Sequence, residues 1–216
     1  TFWAEKIFDI DGDGVDELIA YKYDSKYANH YVIYKFINGK YELLTRAILP
    51  DEYKDFSLTR GSAIADFDGD GKYELVFANT RGNLFIYEFD NNELKLEYID
   101  EEAKSSSIQF IEKPDIDGDG TPEIMHAYAG SKKLFAQNEV GIPLWTVRIL
   151  KATGKDTYSS EIWSENIYGV RLGATRNGIF YRNGSAIGDL NGDGKDEIIL
   201  SLFPNLYIWT YDENTK

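Results

Sequence analysis

Short apolar runs broken by turn residues recur along the whole chain, and none shows the spacing of an amphipathic helix of any length. The order is plainest in one stretch. Ser62 to Asp66 reads as a small-residue strand, Leu75 to Ala78 as a second, Leu84 to Phe89 as a third and Leu94 to Ile99 as a fourth. Lys6 to Ile10, Leu18 to Tyr23, Tyr31 to Ile37 and Tyr41 to Leu44 repeat the scheme, the last two joined by Asn38-Gly39. That dipeptide is a strong hairpin signal because both turn residues take positive φ. Further strands are expected at Ile124 to Tyr128, Lys133 to Ala136 and Leu144 to Leu150. Gly184-Ser185-Ala186-Ile187 echoes Gly61-Ser62-Ala63-Ile64, and Leu206-Tyr207-Ile208-Trp209 echoes Leu84-Phe85-Ile86-Tyr87. The pattern predicts one all-β domain, 1–216, of four repeated units near 1–50, 58–101, 107–160 and 184–216. An added hairpin is expected near 161–183, around Asn177-Gly178.

Between the first two strands of each unit stands the same nonapeptide: DIDGDGVDE at 9–17, DFDGDGKYE at 66–74, DIDGDGTPE at 115–123 and DLNGDGKDE at 189–197. The motifs start 57, 49 and 74 residues apart, the scale of one four-stranded propeller blade. Each places oxygen-bearing side chains at positions one, three and five, glycine at six and glutamate at nine. A short loop built this way wraps several oxygens around one hard cation, for which calcium is the natural candidate. An EF-hand would need a carboxylate at position twelve and flanking helices; Ala20, Phe77, His126 and Leu200 stand there instead.

The pattern D-x-[DN]-G-D-G-x-x-E, entered from a small-residue strand and left by an apolar one, resembles the FG-GAP/VCBS repeat family, which includes integrin α-subunit propellers and many microbial surface proteins. The resemblance covers all four units. It implies a β-propeller of four four-stranded blades, either a four-bladed ring or part of a seven- or eight-bladed one, with one structural Ca2+ per loop and about four in all. Carried over, the ligands are Asp9, Asp11, Asp13, Val15 and Glu17; Asp66, Asp68, Asp70, Lys72 and Glu74; Asp115, Asp117, Asp119, Thr121 and Glu123; and Asp189, Asn191, Asp193, Lys195 and Glu197. Val15, Lys72, Thr121 and Lys195 would act through their backbone oxygens.

Net charge sharpens this picture. The chain carries −14, but 15 of its 37 acids stand at motif positions one, three, five and nine, and the remaining 22 nearly balance 23 Lys and Arg. The acidity therefore belongs to the loops, and no basic footprint for nucleic acid or anionic lipid remains. No cysteine is present, which removes disulfides, thiolate metal sites and a thiol nucleophile. No apolar run approaches the ~18 residues of a membrane span.

Candidate chemistry outside the loops is sparse. Of two histidines, His126 reads as a packed strand residue and His30 as a loop tip, and no Ser-His-Asp or Cys-His set is supported. Aromatic residues make up 15% of the chain; Tyr87 and Trp209, at equivalent blade positions, read as packing. Trp145, Trp163 and Tyr168, in or near the extra segment of the third unit, are the candidates for ligand contact. The expected function is non-catalytic: a calcium-stabilised extracellular or cell-surface propeller that binds protein or carbohydrate in adhesion. The alternatives are a fragment of a propeller-type polysaccharide lyase, suggested also by GIPLW at 141–145, or a surface or filament subunit that self-associates through an open blade edge.

Overall fold

Every strand expected beside a loop forms, and each finds its hydrogen-bonding partner in the next strand along the chain. The computed structural model describes residues 2–103, 108–129, 144–158, 163–169 and 185–212. The first sheet runs β1 (Phe2–Phe8), β2 (Glu17–Asp24), β3 (Ala28–Ile37) and β4 (Lys40–Ala47), and a short 3-10 turn at Asp51–Tyr53 leads out of it. The second runs β5 (Leu58–Ala65), β6 (Tyr73–Asn79), β7 (Leu84–Asp90) and β8 (Glu93–Asp100). All neighbours are antiparallel. At the turn between β3 and β4, Asn38 and Gly39 have φ of +50° and +81°, the hairpin geometry their sequence dictates.

The third sheet departs from expectation. Its strands are β9 (Ile108–Glu112), β10 (Ile124–Ala129), β11 (Leu144–Leu150) and, after a small hairpin of β12 (Ala152–Gly154) and β13 (Thr157–Tyr158), β14 (Trp163–Tyr168). Trp163 to Tyr168, expected within an added hairpin at 161–183, is instead the outermost strand of this blade, paired with β11 from Ile149↔Trp163 to Leu144↔Tyr168. The insertion is β12–β13. The expected strand at Lys133 to Ala136, and the turn expected at Asn177-Gly178, lie outside the described residues. The fourth sheet has β15 (Ser185–Gly188), β16 (Glu197–Leu202) and β17 (Asn205–Trp209).

Apolar side chains fill the spaces between consecutive blades. One cluster joins Ile19, Tyr31 and Ile33 of the first blade to Leu75, Phe77 and Phe85 of the second. A second joins Val76, Leu84 and Ile86 to Ile108, Ile124 and Leu150, and a third joins Met125, Val147 and Ile149 to Ile198, Leu200 and Leu202. Both faces of the second and third sheets are thus covered, so β7 reads as an apolar run with one acid, Glu88, among residues that are buried on both sides. Innermost strands β1, β5 and β9 line a shared cavity of about 270 Å³, where Lys113 Nζ donates to the Ile64 carbonyl oxygen at 2.9 Å. The arrangement is a β-propeller of four blades.

In the first three blades the residue at motif position two wedges the blade against the next. Ile10, Phe67 and Ile116 are buried in the three inter-blade clusters, whereas Leu190 of the fourth loop is 61% exposed. Leu206 and Ile208 of the fourth blade are exposed on the same side, and Ile7, Phe36, Tyr41 and Leu43 are exposed on the first blade. Among the described residues no apolar cluster joins the first blade to the fourth.

A buried polar triad ties the second blade to the third. Arg148 Nη1 donates to Asp100 Oδ2 at 2.5 Å and lies 3.3 Å from His126 Nε2. Burial first, and the Arg148 charge second, push His126 down to about 3, so it is neutral in the fold. His30 is not at a loop tip: it lies within β3, fully buried, with Nδ1 3.2 Å from the Ala28 carbonyl oxygen. The triad sets a pH dependence. A histidine depressed in the folded state leaves the unfolded chain binding the extra proton, so its stabilisation is complete above about pH 6.5 and is lost as pH falls toward 3, by at most about 1.4 kcal/mol per unit. Urea unfolding at pH 7 and pH 5 should show His126→Gln losing less stability on acidification than the wild type; parallel losses would contradict a neutral buried imidazole.

Candidate metal centre

Each loop joins the innermost strand of a blade to the second, and all four fold by the same hydrogen bonds. The position-one aspartate accepts, through Oδ2, from the amide of the position-six glycine at 2.9 Å in every copy: Gly14, Gly71, Gly120 and Gly194. Position three accepts from the amide of position five at 2.8 to 3.3 Å. Position five accepts from the amides of Val15, Lys72, Thr121 and Lys195 at 2.8 to 2.9 Å. The glycines at positions four and six all take φ between +72° and +91°, which side-chain-bearing residues rarely adopt.

The position-nine glutamate stands within one residue of the start of the second strand and is buried: Glu17, Glu74 and Glu123 are 0% exposed and Glu197 2%. One oxygen of each accepts from the amide at position two, on Ile10, Phe67, Ile116 or Leu190, at 2.6 to 3.2 Å. This bond clamps loop entry to loop exit. It also turns the second oxygen, Oε1, toward the second oxygens of positions three and five.

What meets those second oxygens differs from loop to loop. In the first, the Lys35 ammonium bonds Asp11 Oδ2, lies 2.6 Å from Asp13 Oδ2 and 3.5 Å from Glu17 Oε1. In the third, Lys151 occupies the same place, 2.5 Å from Asp117 Oδ2, 2.7 Å from Asp119 Oδ2 and 3.0 Å from Glu123 Oε1, the last without a hydrogen bond. In the second, Asp156 N donates to Asp68 Oδ2 at 2.7 Å, Lys155 Nζ reaches Asp70 Oδ2 at 2.7 Å, and Glu74 Oε1 is buried without a partner. In the fourth, Asn191 Nδ2 donates to Glu197 Oε1 at 3.1 Å, so amide replaces charge.

The electrostatics follow. Burial raises the carboxyls of Glu17 and Glu123 and pushes Glu74 up to about 9. Lys35 is raised by its hydrogen bonds to Asp11 and Asp13. Burial opposes the charge of Lys151, but hydrogen bonds to Asp117 and Asp119 and the nearby Glu123 carboxylate raise it all the same. Two carboxylates about 4 Å apart repel by about 4 kcal/mol at an effective dielectric of about 20. Loops holding three or four acids therefore need a cation, and two of them recruit an ammonium from their own blade.

The residues fit a hard cation. Asp9, Asp11 and Asp13, then Asp66, Asp68, Asp70 and Glu74, then Asp115, Asp117 and Glu123, each offer oxygens within 4.8 Å of one another, and the donors are all oxygen. The fourth loop forms no such group among the described residues. Of the candidates for ligand contact, Trp145 is buried and its Nε1 donates to the Gly169 carbonyl oxygen at 2.8 Å; Trp163 packs edge-on against Trp209. Both serve the space between the third and fourth blades. Tyr168 is exposed, its carbonyl oxygen accepting from Tyr207 Oη at 2.7 Å.

Four antiparallel sheets, each with an oxygen-rich loop between its first two strands, define a β-propeller whose turns could hold cations. The FG-GAP-like repeat family matches residues 9–77 and 66–126, which together span more than half of the chain, and the protein belongs to that family. No curated protein matches the sequence. Among solved structures the chain is similar to an exotype rhamnogalacturonan lyase, YesX, at 17% identity and a TM-score of 0.49; the match covers 92% of this chain and 38% of that one.

The in-built ammonium makes a prediction. Lys151 competes with any entering cation for three oxygens, so Lys151→Met should tighten divalent-cation binding at the third loop by about three- to tenfold, the equivalent of about 1 kcal/mol. Calorimetric titration of both proteins reads this directly. Unchanged or weaker binding would mean that Lys151 supports the site instead of competing for it.

Proposed function

We propose that this chain is a non-catalytic, calcium-stabilised propeller segment that works outside the cell or at its surface, holding a protein partner on its blade faces in adhesion. The buried position-nine glutamate carries this reading: an acid placed without solvent, one oxygen on the backbone and the other aimed at two or three more carboxylates, is a ligand arrangement for a large hard cation. In this reading the ion's role is structural, because the buried glutamate that would bind it is the residue that clamps loop entry to loop exit. Calcium modules of this kind bind at about 10⁻⁴ to 10⁻³ M, concentrations met outside cells.

The partner surface is apolar. Phe36, Tyr41 and Leu43 on the first blade, and Leu190, Leu206 and Ile208 on the fourth, present exposed hydrophobic side chains on the faces that elsewhere in the fold receive another blade. Surface of that kind, mostly aliphatic, suits protein better than carbohydrate, and a second copy of the chain is one protein that offers the complementary face.

Sedimentation at micromolar concentration in millimolar calcium tests the association. The expected result is a dimer or larger species in the wild type that dissociates in the Leu206→Lys, Ile208→Lys double variant. A wild type that stays monomeric, with unaltered sedimentation in the double variant, would remove self-association through these faces.

A further inference from the structure

The strand position opposite the buried glutamate differs among the blades in a way that the loop motif does not record. One step beyond the Leu18↔Tyr34 pair stands Lys35, opposite Glu17; one step beyond Ile124↔Leu150 stands Lys151, opposite Glu123; one step beyond Ile198↔Trp209 stands Thr210, opposite Glu197. In the second blade that position is Glu88, registered directly against Glu74. Like charges opposite each other on neighbouring strands oppose pairing, and here both are buried.

A third acid joins them from β8. The β7–β8 ladder shifts between Ile86↔Tyr98 and Tyr87↔Leu96, which leaves Glu97 as a bulged residue, and bulges re-aim side chains. Glu74, Glu88 and Glu97 place carboxylate oxygens within 4.8 Å of one another, and Asp70, Glu88 and Asp156 form an adjoining group that shares Glu88. Lys72 Nζ binds Glu88 Oε1 at 2.8 Å, and Tyr158 Oη donates to Glu97 Oε2 at 3.2 Å. Two oxygens in this group, Glu74 Oε1 and Glu88 Oε2, are buried with no hydrogen-bond partner, on side chains 0% and 5% exposed. Blades one and three supply an ammonium opposite the buried glutamate; blade two supplies a third-strand carboxylate there, and its Lys72 reaches only the Oε1 side of Glu88.

We propose that the second blade binds two divalent cations: one in the Asp66–Glu74 loop, and a second beside it among Glu74, Glu88 and Glu97, with Glu74 bridging the two. Charge counting agrees. With every acid ionised, motif positions one, three, five and nine of the first and third loops each hold four carboxylates against one lysine, and those of the fourth hold three with no lysine at the equivalent strand position, so each set stands at −3. The second loop with Glu88, Glu97 and Asp156 holds seven carboxylates against Lys72 and Lys155, a charge of −5. One divalent ion brings each of the other loops to −1. The second blade reaches −1 only with two. An all-oxygen set of carboxylates selects a hard cation such as calcium or manganese, and a shared carboxylate places two ions about 3.5 to 4 Å apart.

The proposal rests on the loops binding metal, and the test separates the two ideas. Crystals of the whole chain grown with manganese should give two anomalous-scattering peaks at the second blade, one among Asp66, Asp68 and Asp70 and one among Glu88 and Glu97, with Glu74 between. In solution, Glu97→Gln should bind one calcium fewer per chain than the wild type by equilibrium dialysis, while Asp11→Asn, in the first loop, leaves the second-blade pair of peaks unchanged. A single second-blade peak confined to the loop overturns the second site and leaves the loop reading standing, as does a folded Glu97→Gln with full calcium content. No peak at any loop overturns both. Should Glu97→Gln fail to fold, the peaks in the wild type decide alone.

Discussion

Each blade turns on a carboxylate that has no business in a protein interior unless something positive meets it. Glu17, Glu74, Glu123 and Glu197 are buried within one residue of the start of the second strand of their sheets, and each gives one oxygen to the amide at motif position two. That single bond sets the width of the loop, fixes where strand one ends and strand two begins, and aims the residue at position two into the space between blades. Apolar packing at Ile10, Phe67 and Ile116 is therefore mechanically downstream of an electrostatic arrangement. Breaking the loop would loosen the inter-blade contact as well as the turn, because a buried acid left without its partners costs more than the bonds it made.

The four copies share a backbone and differ in how they are neutralised. Lys35, in the third strand of its blade, and Lys151, just past the third strand of its own, each bring an ammonium; Asn191 lowers the charge of the fourth loop and satisfies Glu197 directly; the second loop borrows Lys155 and Asp156 from the β12–β13 hairpin of its neighbour. Such variety predicts cation affinities that differ among loops of nearly identical sequence. It also couples the second and third blades, since the insertion that follows β11 docks on the loop of the blade before it.

Much of this was legible in the chain itself. Alternating turn signals and apolar runs placed the strands of the first two blades, Asn38-Gly39 marked its hairpin, and the nonapeptide marked the loops and their oxygens. What escaped is information that only strand register carries. Lys35, Glu88, Lys151 and Thr210 occupy one structural position, yet the number of residues separating each from its loop glutamate varies, so no fixed spacing reveals them. The β12–β13 hairpin is too short for a periodic signal, and it displaced the outer strand of the third blade to Trp163–Tyr168. Trp145 looked like a contact residue because aromatic character is ambiguous; its indole N–H found a carbonyl inside the fold, as a buried tryptophan usually does.

The central claim is that cations hold the loops, and through them the blades, together. Thermal unfolding of the whole chain in millimolar calcium and again in excess chelator measures it. A ligand at a hundred times its dissociation constant adds about 2.7 kcal/mol per site to the folded state, and a chain of this size shifts by about 2 to 4 °C per kcal/mol. With several sites filled, the midpoint should fall by about 10 °C or more on chelation. A midpoint unchanged after metal removal has been verified by elemental analysis would contradict the account.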